Sequence, residues 1–145
     1  MAALVSAVAT IRPGAIQMTI ETGLRTHLLA DGPVAALVVA RVYPIKLPQT
    51  PTYPALTYEI VSDIPHRGLA GDSDLERVRV RVHCWAATYS GAIDLAGKVR
   101  TAVADFSGLM GTTPVTSVKF ETWNDLFDDV PEVYRRVADF MITHT

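Results

Sequence analysis

From residue 74 onward the chain alternates with a period of two. Val78, Val80, Val82, Cys84 and Ala86 fall on one side, and Arg77, Arg79, Arg81, His83 and Trp85 on the other. That is a strand with one buried face and one polar face. At Thr88 the period lengthens. Tyr89, Ile93, Ala96, Val103 and Phe106 recur at helical spacing, Val99 lies at the margin of that face, and Asp94 and Lys98 form an i,i+4 pair on the other side. Thr88 supplies an N-cap, and Ser107-Gly108 a stop. A long strand thus runs directly into an amphipathic helix, and packing that helix on the valine face makes the core. Each large apolar side chain buried there stabilises by roughly 1.5–3 kcal/mol.

The other elements arrange themselves around this unit. Residues 19–30 predict a helix with Ile20, Leu24 and Leu28 on one face. Asp31-Gly32-Pro33 ends it and opens a short second turn over residues 34–38, with Pro33 at the first helical position. Residues 41–47 are a short extended piece that Pro44 assigns to a sheet edge. Pro44, Pro48, Pro51 and Pro54 then make a rigid surface crossing. Residues 55–62 predict a strand with Leu56, Tyr58 and Ile60 on one face, and residues 63–73, holding Pro65, Gly68 and Gly71, a loop. After the helix come a loop over 109–113 and a strand over 115–123, with Val118 and Phe120 facing opposite ways. A loop over 124–132 is acidic through Asp125, Asp128, Asp129 and Glu132, and a last strand over 133–143 has Ala138, Phe140 and Ile142 on one face. The order reads as an α+β fold: a mostly antiparallel four- to five-stranded sheet with helices packed on one face. No solenoid-type repeat or low-complexity segment interrupts it.

Composition narrows the picture. A chain of 145 residues with 49% apolar content is read as one domain over residues 18–145, preceded by an N-terminal arm over 1–17. The arm begins apolar, but no Lys or Arg precedes that run, so no signal peptide is expected. Two readings of it stand: a frayed tail, or a segment that orders against a neighbouring subunit. The net charge of −2 gives no basic field for nucleic acid. The single cysteine, Cys84, lies on the predicted core face as a small hydrophobe. No apolar run approaches the ~20 residues of a membrane span.

The search for chemistry yields little. His27, His66, His83 and His144 show no metal-ligand spacing, so no metal and no cofactor is expected. Gly71-Asp72-Ser73 matches the nucleophile block of some serine hydrolases, but its mid-chain position is wrong and no Asp-x-x-His follows. Asp72, Asp74 and Glu76 alternate like a calcium loop without its glycine and distal glutamate. No catalytic residue is assigned, and an enzyme is not expected. The sharpest feature is the stripe Arg77, Arg79 and Arg81, whose guanidinium groups repel one another unless anions sit opposite. It is a solvated face with stray pairs, an interface meeting carboxylates of another subunit, or a phosphate site. For the interface reading the complement is the acidic tract Asp125, Asp128, Asp129 and Glu132, and His66 and Arg67 in the preceding loop join the candidate residues. Two different surfaces meeting head to tail close into a ring.

Several pieces, in order, resemble a known family. They are Ile20-Glu21-Thr22-Gly23-Leu24, Val34-Ala35-Ala36-Leu37-Val38, Arg41-Val42-Tyr43-Pro44 with Leu47-Pro48-Gln49, and Tyr53-Pro54-Ala55-Leu56-Thr57-Tyr58. Arg79-Val80-Arg81-Val82-His83-Cys84-Trp85-Ala86-Ala87-Thr88-Tyr89 follows, with a weaker match over Val133-Tyr134-Arg135 and Asp139-Phe140. Together they resemble the tail-terminator (tail-completion) proteins of long-tailed bacteriophages. The resemblance implies a structural virion protein that forms a homo-hexameric ring on the head-proximal end of the tail tube, stops tube growth and presents a head–tail joining surface. Its implied partners are copies of itself, the tail tube protein and a head-completion or connector protein. DNA would pass through the lumen without specific binding, no membrane would be involved, and assembly would take place in the host cytoplasm. The alternatives are a head-completion connector or neck ring, and a small α+β ligand-binding module.

Overall fold

The computed structural model of the chain describes residues 19–68, 71–129 and 132–145, with side chains throughout except at 65–68 and 71–74. The arm expected over 1–17 lies outside the described residues. Among the described residues, three helices, α1 (Ile20–Ala30), α2 (Gly32–Val38) and α3 (Tyr89–Val103), accompany six strands: β1 (Val42–Pro44), β2 (Ala55–Gly68), β3 (Gly71–Ala86), β4 (Gly108–Met110), β5 (Thr113–Asp128) and β6 (Val133–His144). They form one sheet in the order β1-β2-β3-β6-β5-β4. The α+β class holds, but the sheet has six strands rather than the four or five expected, and it is mixed. β1 runs parallel to β2, and the other pairs are antiparallel. The extra strand, β4, is too short to show a period in sequence. It folds back on β5 through Gly111, whose φ of 61° suits the tight turn.

The β3 alternation holds: Val78, Val80, Val82 and Cys84 are fully buried, and burial pushes the Cys84 thiol well up from its ordinary pKa. On β6, Ala138, Phe140 and Ile142 share that face. Thr19 caps α1 by accepting from Thr22 N, and Ile20, Leu24 and Leu28 are its buried residues together with Gly23. Asp31 caps α2 from the Val34 amide, and Thr88 caps α3 from the Gly91 amide.

The buried face of α3 differs from the expected one. It consists of Ala92, Leu95, Ala96, Val99 and Val103, whereas Tyr89 and Ile93 are exposed. Small alanines let the helix approach the sheet closely, so the large residues at 89 and 93 lie off the contact. The helix also ends before Ser107-Gly108. Ala104 is its C-cap, Asp105 takes a φ of 61°, and the Asp105 amide donates to the Val118 carbonyl. Val118 and Phe120 lie on the same face rather than opposite faces, since they pair with Ile142 and Phe140 without a register shift between them.

Both segments read as loops, 63–73 and 124–132, are largely strand. β2 and β3 pair out to Gly68 and Gly71, and β5 and β6 out to Asp128 and Val133. β1 covers β2 only at Leu56, Thr57 and Tyr58. Beyond that point β2 is an edge, so Pro65 takes no donor from a ladder. The strands outrun the helices. A 16-residue strand such as β3 spans roughly 50 Å, and the 15-residue α3 about 22 Å. The sheet thus extends as two hairpin arms past the helix covering its centre.

Candidate assembly surfaces

The face of the sheet away from the helices carries the arginine stripe. Register places Arg77 beside Ile64 and Thr143, Arg79 beside Met141, and Arg81 beside Asp139. Arg81 donates from Nε and Nη2 to the two Asp139 oxygens at 2.9 and 3.1 Å, a fork-to-fork pair that raises the Arg81 pKa. Arg79 pairs with Glu121, which a bulge in β5 sets on this face. Arg77 is exposed, and among the described residues no carboxylate lies within ion-pair distance of it.

Further along the same face, His83 is held from both sides. Its Nε2 donates to Glu59 Oε1 at 2.9 Å, and Arg135 Nη1 donates to its Nδ1 at 3.2 Å. A lone pair on Nδ1 requires the neutral ring, and burial lowers the His83 pKa in agreement. Arg135 also lies 4.7 Å above the Trp85 ring, whose Nε1 donates to Thr57 Oγ1.

The expected acidic tract divides into two parts. Asp125 lies on the helix side of the sheet. It accepts from Arg136 Nε at 2.7 Å, from Arg136 Nη2 at 3.0 Å and from Tyr89 OH at 2.6 Å. The Arg136 bonds, followed by that of Tyr89, hold its carboxyl below the usual range. Asp128 lies 3.8 Å from Arg135. Asp129 and Glu132 are exposed at the end of the β5–β6 arm. The Asp125 carboxylate is therefore saturated by its own chain. Beside it, Tyr89, Leu126 and Phe127 are exposed and, with Tyr134, line a hollow of about 350 Å³. His66 and Arg67 lie in β2, their side chains outside the described residues.

A second carboxylate group has no counterpart as a unit along the sequence. Glu21 at the start of α1, Asp63 on β2, Glu76 on β3 and His144 on β6 line a hollow of about 340 Å³ with Thr19, Ile20, Thr113 and Thr145. The hydrogen bond with Asp63, then the Asp63 charge, raises the Glu76 pKa, and Glu21 adds to the effect. His144 is 7% exposed and its Nε2 has no hydrogen-bond partner. Its Nδ1 donates to the Thr145 backbone oxygen at 3.2 Å. These groups come from four elements and meet only through the register of β2, β3 and β6, so spacing along the chain gave no signal. Among the described residues no group of His, Cys, Asp or Glu is arranged to hold a metal ion, and no helix is long and apolar enough to cross a membrane.

With the geometry in place, relatives can be compared. Among the curated proteins none matches. In fold the chain is similar to one from the virion of a native gene transfer agent (GTA) particle, with a TM-score of 0.61 at 18% identity over 83% of this chain and 90% of that one. The profile of the tail completion protein gp17 family matches residues 22–145, from α1 to the last residue of β6 and beyond. The chain belongs to the tail completion protein gp17 family and is a structural, tail-related virion protein.

Proposed function

We propose that this protein forms a homo-hexameric ring that caps the head-proximal end of the tail tube, ends tube growth and offers the surface that joins tail to head. The observation that carries this reading is the pair of hairpin arms with uncovered apolar side chains. Val61 and Ile64 are 41% and 59% exposed on the β2–β3 arm, and Leu126 and Phe127 are 46% and 45% exposed on the β5–β6 arm. Large apolar residues grouped on arms that outrun the helices are suited to being covered by neighbouring molecules. A closed ring of head-to-tail copies covers such arms without leaving an open edge.

On this reading the two arms divide the work. The β2–β3 arm, with Arg77 and the neighbouring His66 and Arg67, contacts the next copy. The β5–β6 arm, with Asp129 and Glu132 at its end, faces the tail tube protein or the head-completion protein. Exposed carboxylates turned to the lumen would let DNA pass without specific binding, by like-charge repulsion. The location that follows is the head–tail junction of the virion.

Electron microscopy of tail tubes assembled with and without the protein tests this. Over-long tubes without it, and tubes ending in a discrete ring with it, are the expected result. Unchanged tube length with no protein at the tube ends overturns it.

A further inference from the structure

We propose that the hollow formed by Glu21, Asp63, Glu76 and His144 is the seat for the Arg77 guanidinium of the next copy of this chain. The inference rests on the ring reading and names the contact that closes the ring.

Chemistry sets what this hollow accepts. Glu21, Asp63 and Glu76 bring three carboxyl groups to one place, and no Arg or Lys is among the residues that line the hollow. The Asp63 carboxyl, by hydrogen bond and then by charge, raises the pKa of Glu76 beside it. His144 adds a second and independent sign. Its ring is buried and its Nε2 has no hydrogen-bond partner among the described residues. A buried polar atom left without a partner is costly. Three carboxyl groups dominate the wall, and the group they call for is a cation with several N–H donors. The metal alternative fails on geometry among the described residues. A guanidinium, planar and with five donors, fits.

Arg77 is the group that matches. Arg79, Arg81, Arg135 and Arg136 each have a carboxylate partner, Arg41 donates to the Pro54 and Leu37 carbonyls, and Arg100 lies over Phe120. Among the arginines whose side chains are described, Arg77 is the exposed one without such a partner, beside the exposed Ile64. Its position also satisfies ring symmetry. Glu76 and Arg77 are consecutive on β3, so the hollow and the guanidinium lie at the same end of the sheet on opposite faces. A head-to-tail contact needs two different complementary surfaces on each copy. Laying the far face of one β2–β3 arm on the helix side of the next brings Arg77 to the hollow and covers Ile64.

The test uses the full chain, with native mass spectrometry and sedimentation to read the ring and circular dichroism to confirm folding. Arg77→Glu and Glu76→Arg, each alone, are expected to weaken ring association about tenfold or more. Mixed in equal amounts they are expected to restore it as an alternating ring of both chains, because every contact then joins opposite charges. Should Glu76→Arg fail to fold, Asp63→Arg replaces it in the mixture. Arg77→Glu rings as strong as wild type, or a mixture that recovers nothing, overturn the proposal while the ring reading stands. A ring lost on removing residues 1–17, but kept in Arg77→Glu, overturns it in favour of the N-terminal segment and its Arg12. Failure of the wild-type chain to form a ring, alone or on tube ends, is failure of the ring reading itself.

Discussion

Two acidic regions of this protein look alike in charge and differ in what their carboxylates do. On the β5–β6 arm, Asp125 accepts three hydrogen bonds from Arg136 and Tyr89, and its pKa is lowered. In the hollow at the start of α1, Glu76 shares a hydrogen bond with the Asp63 carboxyl, and its pKa is raised. The first region is a run of acids close in sequence; the second is assembled from distant residues. A dense run invites the inference that it awaits a partner, but charges in a hairpin are within reach of the opposing strand and are commonly answered there. Carboxylates gathered from separate elements have no such built-in complement. Opposite pKa shifts separate the self-satisfied region from the one left open.

The largest expected effect comes from disturbing the wall of the open region. Gly23 on α1 packs directly on β4, and a Cβ at that position would lie inside contact with the Met110 carbonyl oxygen. Because the obstacle is backbone, Gly23→Ala should displace α1 and cost about 1–3 kcal/mol. It should shift Glu21 and alter the hollow while leaving the Asp125–Arg136 pair in place. Thermal unfolding reads the loss, and the NMR resonance of the Tyr89 ring should stay at its wild-type position. Movement at both ends would show that the two regions are not independent.

Next in size is the satisfied region. Arg136→Ala removes both bonds to Asp125 and the guanidinium 5.2 Å over Trp123. Asp125 is part-exposed, so solvent screens the loss, and about 1–2 kcal/mol is expected by chemical denaturation. Ring formation should survive, since this pair serves its own chain. A ring abolished with the fold intact would place the interface at the β5–β6 arm instead.

The core was legible in the sequence and the arms were not, for physical reasons. Val78, Val80 and Val82 alternate because one face of β3 is buried, and burial writes a period into the chain. The arms bury little, so residues 63–68 and 124–128 carry no such period, and Pro65 and the aspartates there read as loop signals although the backbone is strand. On α3 side-chain size and burial part company: Tyr89 and Ile93 are larger than Ala92 and Ala96, yet the alanines lie against the sheet. For the arginine stripe, half of the answer was within reach. Once Ala138, Phe140 and Ile142 share the core face, Asp139 must lie on the other, where Arg81 finds it. Strand order, which sequence does not give, was the missing step.

A smaller effect sharpens the contrast in protonation. The folded pKa of Glu76 is raised, so its contribution to stability is present below the ordinary carboxyl range and is lost as pH rises through the folded value. Glu76→Gln removes that loss. The variant should be more stable than wild type at neutral pH by under about 1 kcal/mol, as the hollow is open to water. The gain should vanish in mild acid. In assembled rings it should reverse, because the seat for Arg77 loses a charge. Equal stability of the two proteins at all pH values would mean that Glu76 is not under strain.

The smallest effect sits between the two regions, at His83, and opposes that of Glu76. His83 donates to Glu59 and accepts from Arg135, so the fold requires its neutral form, and burial lowers its pKa. The unfolded chain then binds more protons than the folded one in the window below the ordinary histidine value, near 6.5. Stability rises with pH across that window and is lost as pH falls towards the folded value. The slope is at most about 1.4 kcal/mol per pH unit for one proton. Glu76, its pKa raised from the ordinary value, contributes with the opposite sign. The two are separated by measuring unfolding against pH in Glu76→Gln and in Glu76→Gln combined with His83→Gln. The single variant should lose stability on acidification more steeply than wild type, and the double variant should be flat. If the double variant keeps the slope, some other group carries the proton, and the neutral bridge from Glu59 through His83 to Arg135 does not govern the acid response of the sheet.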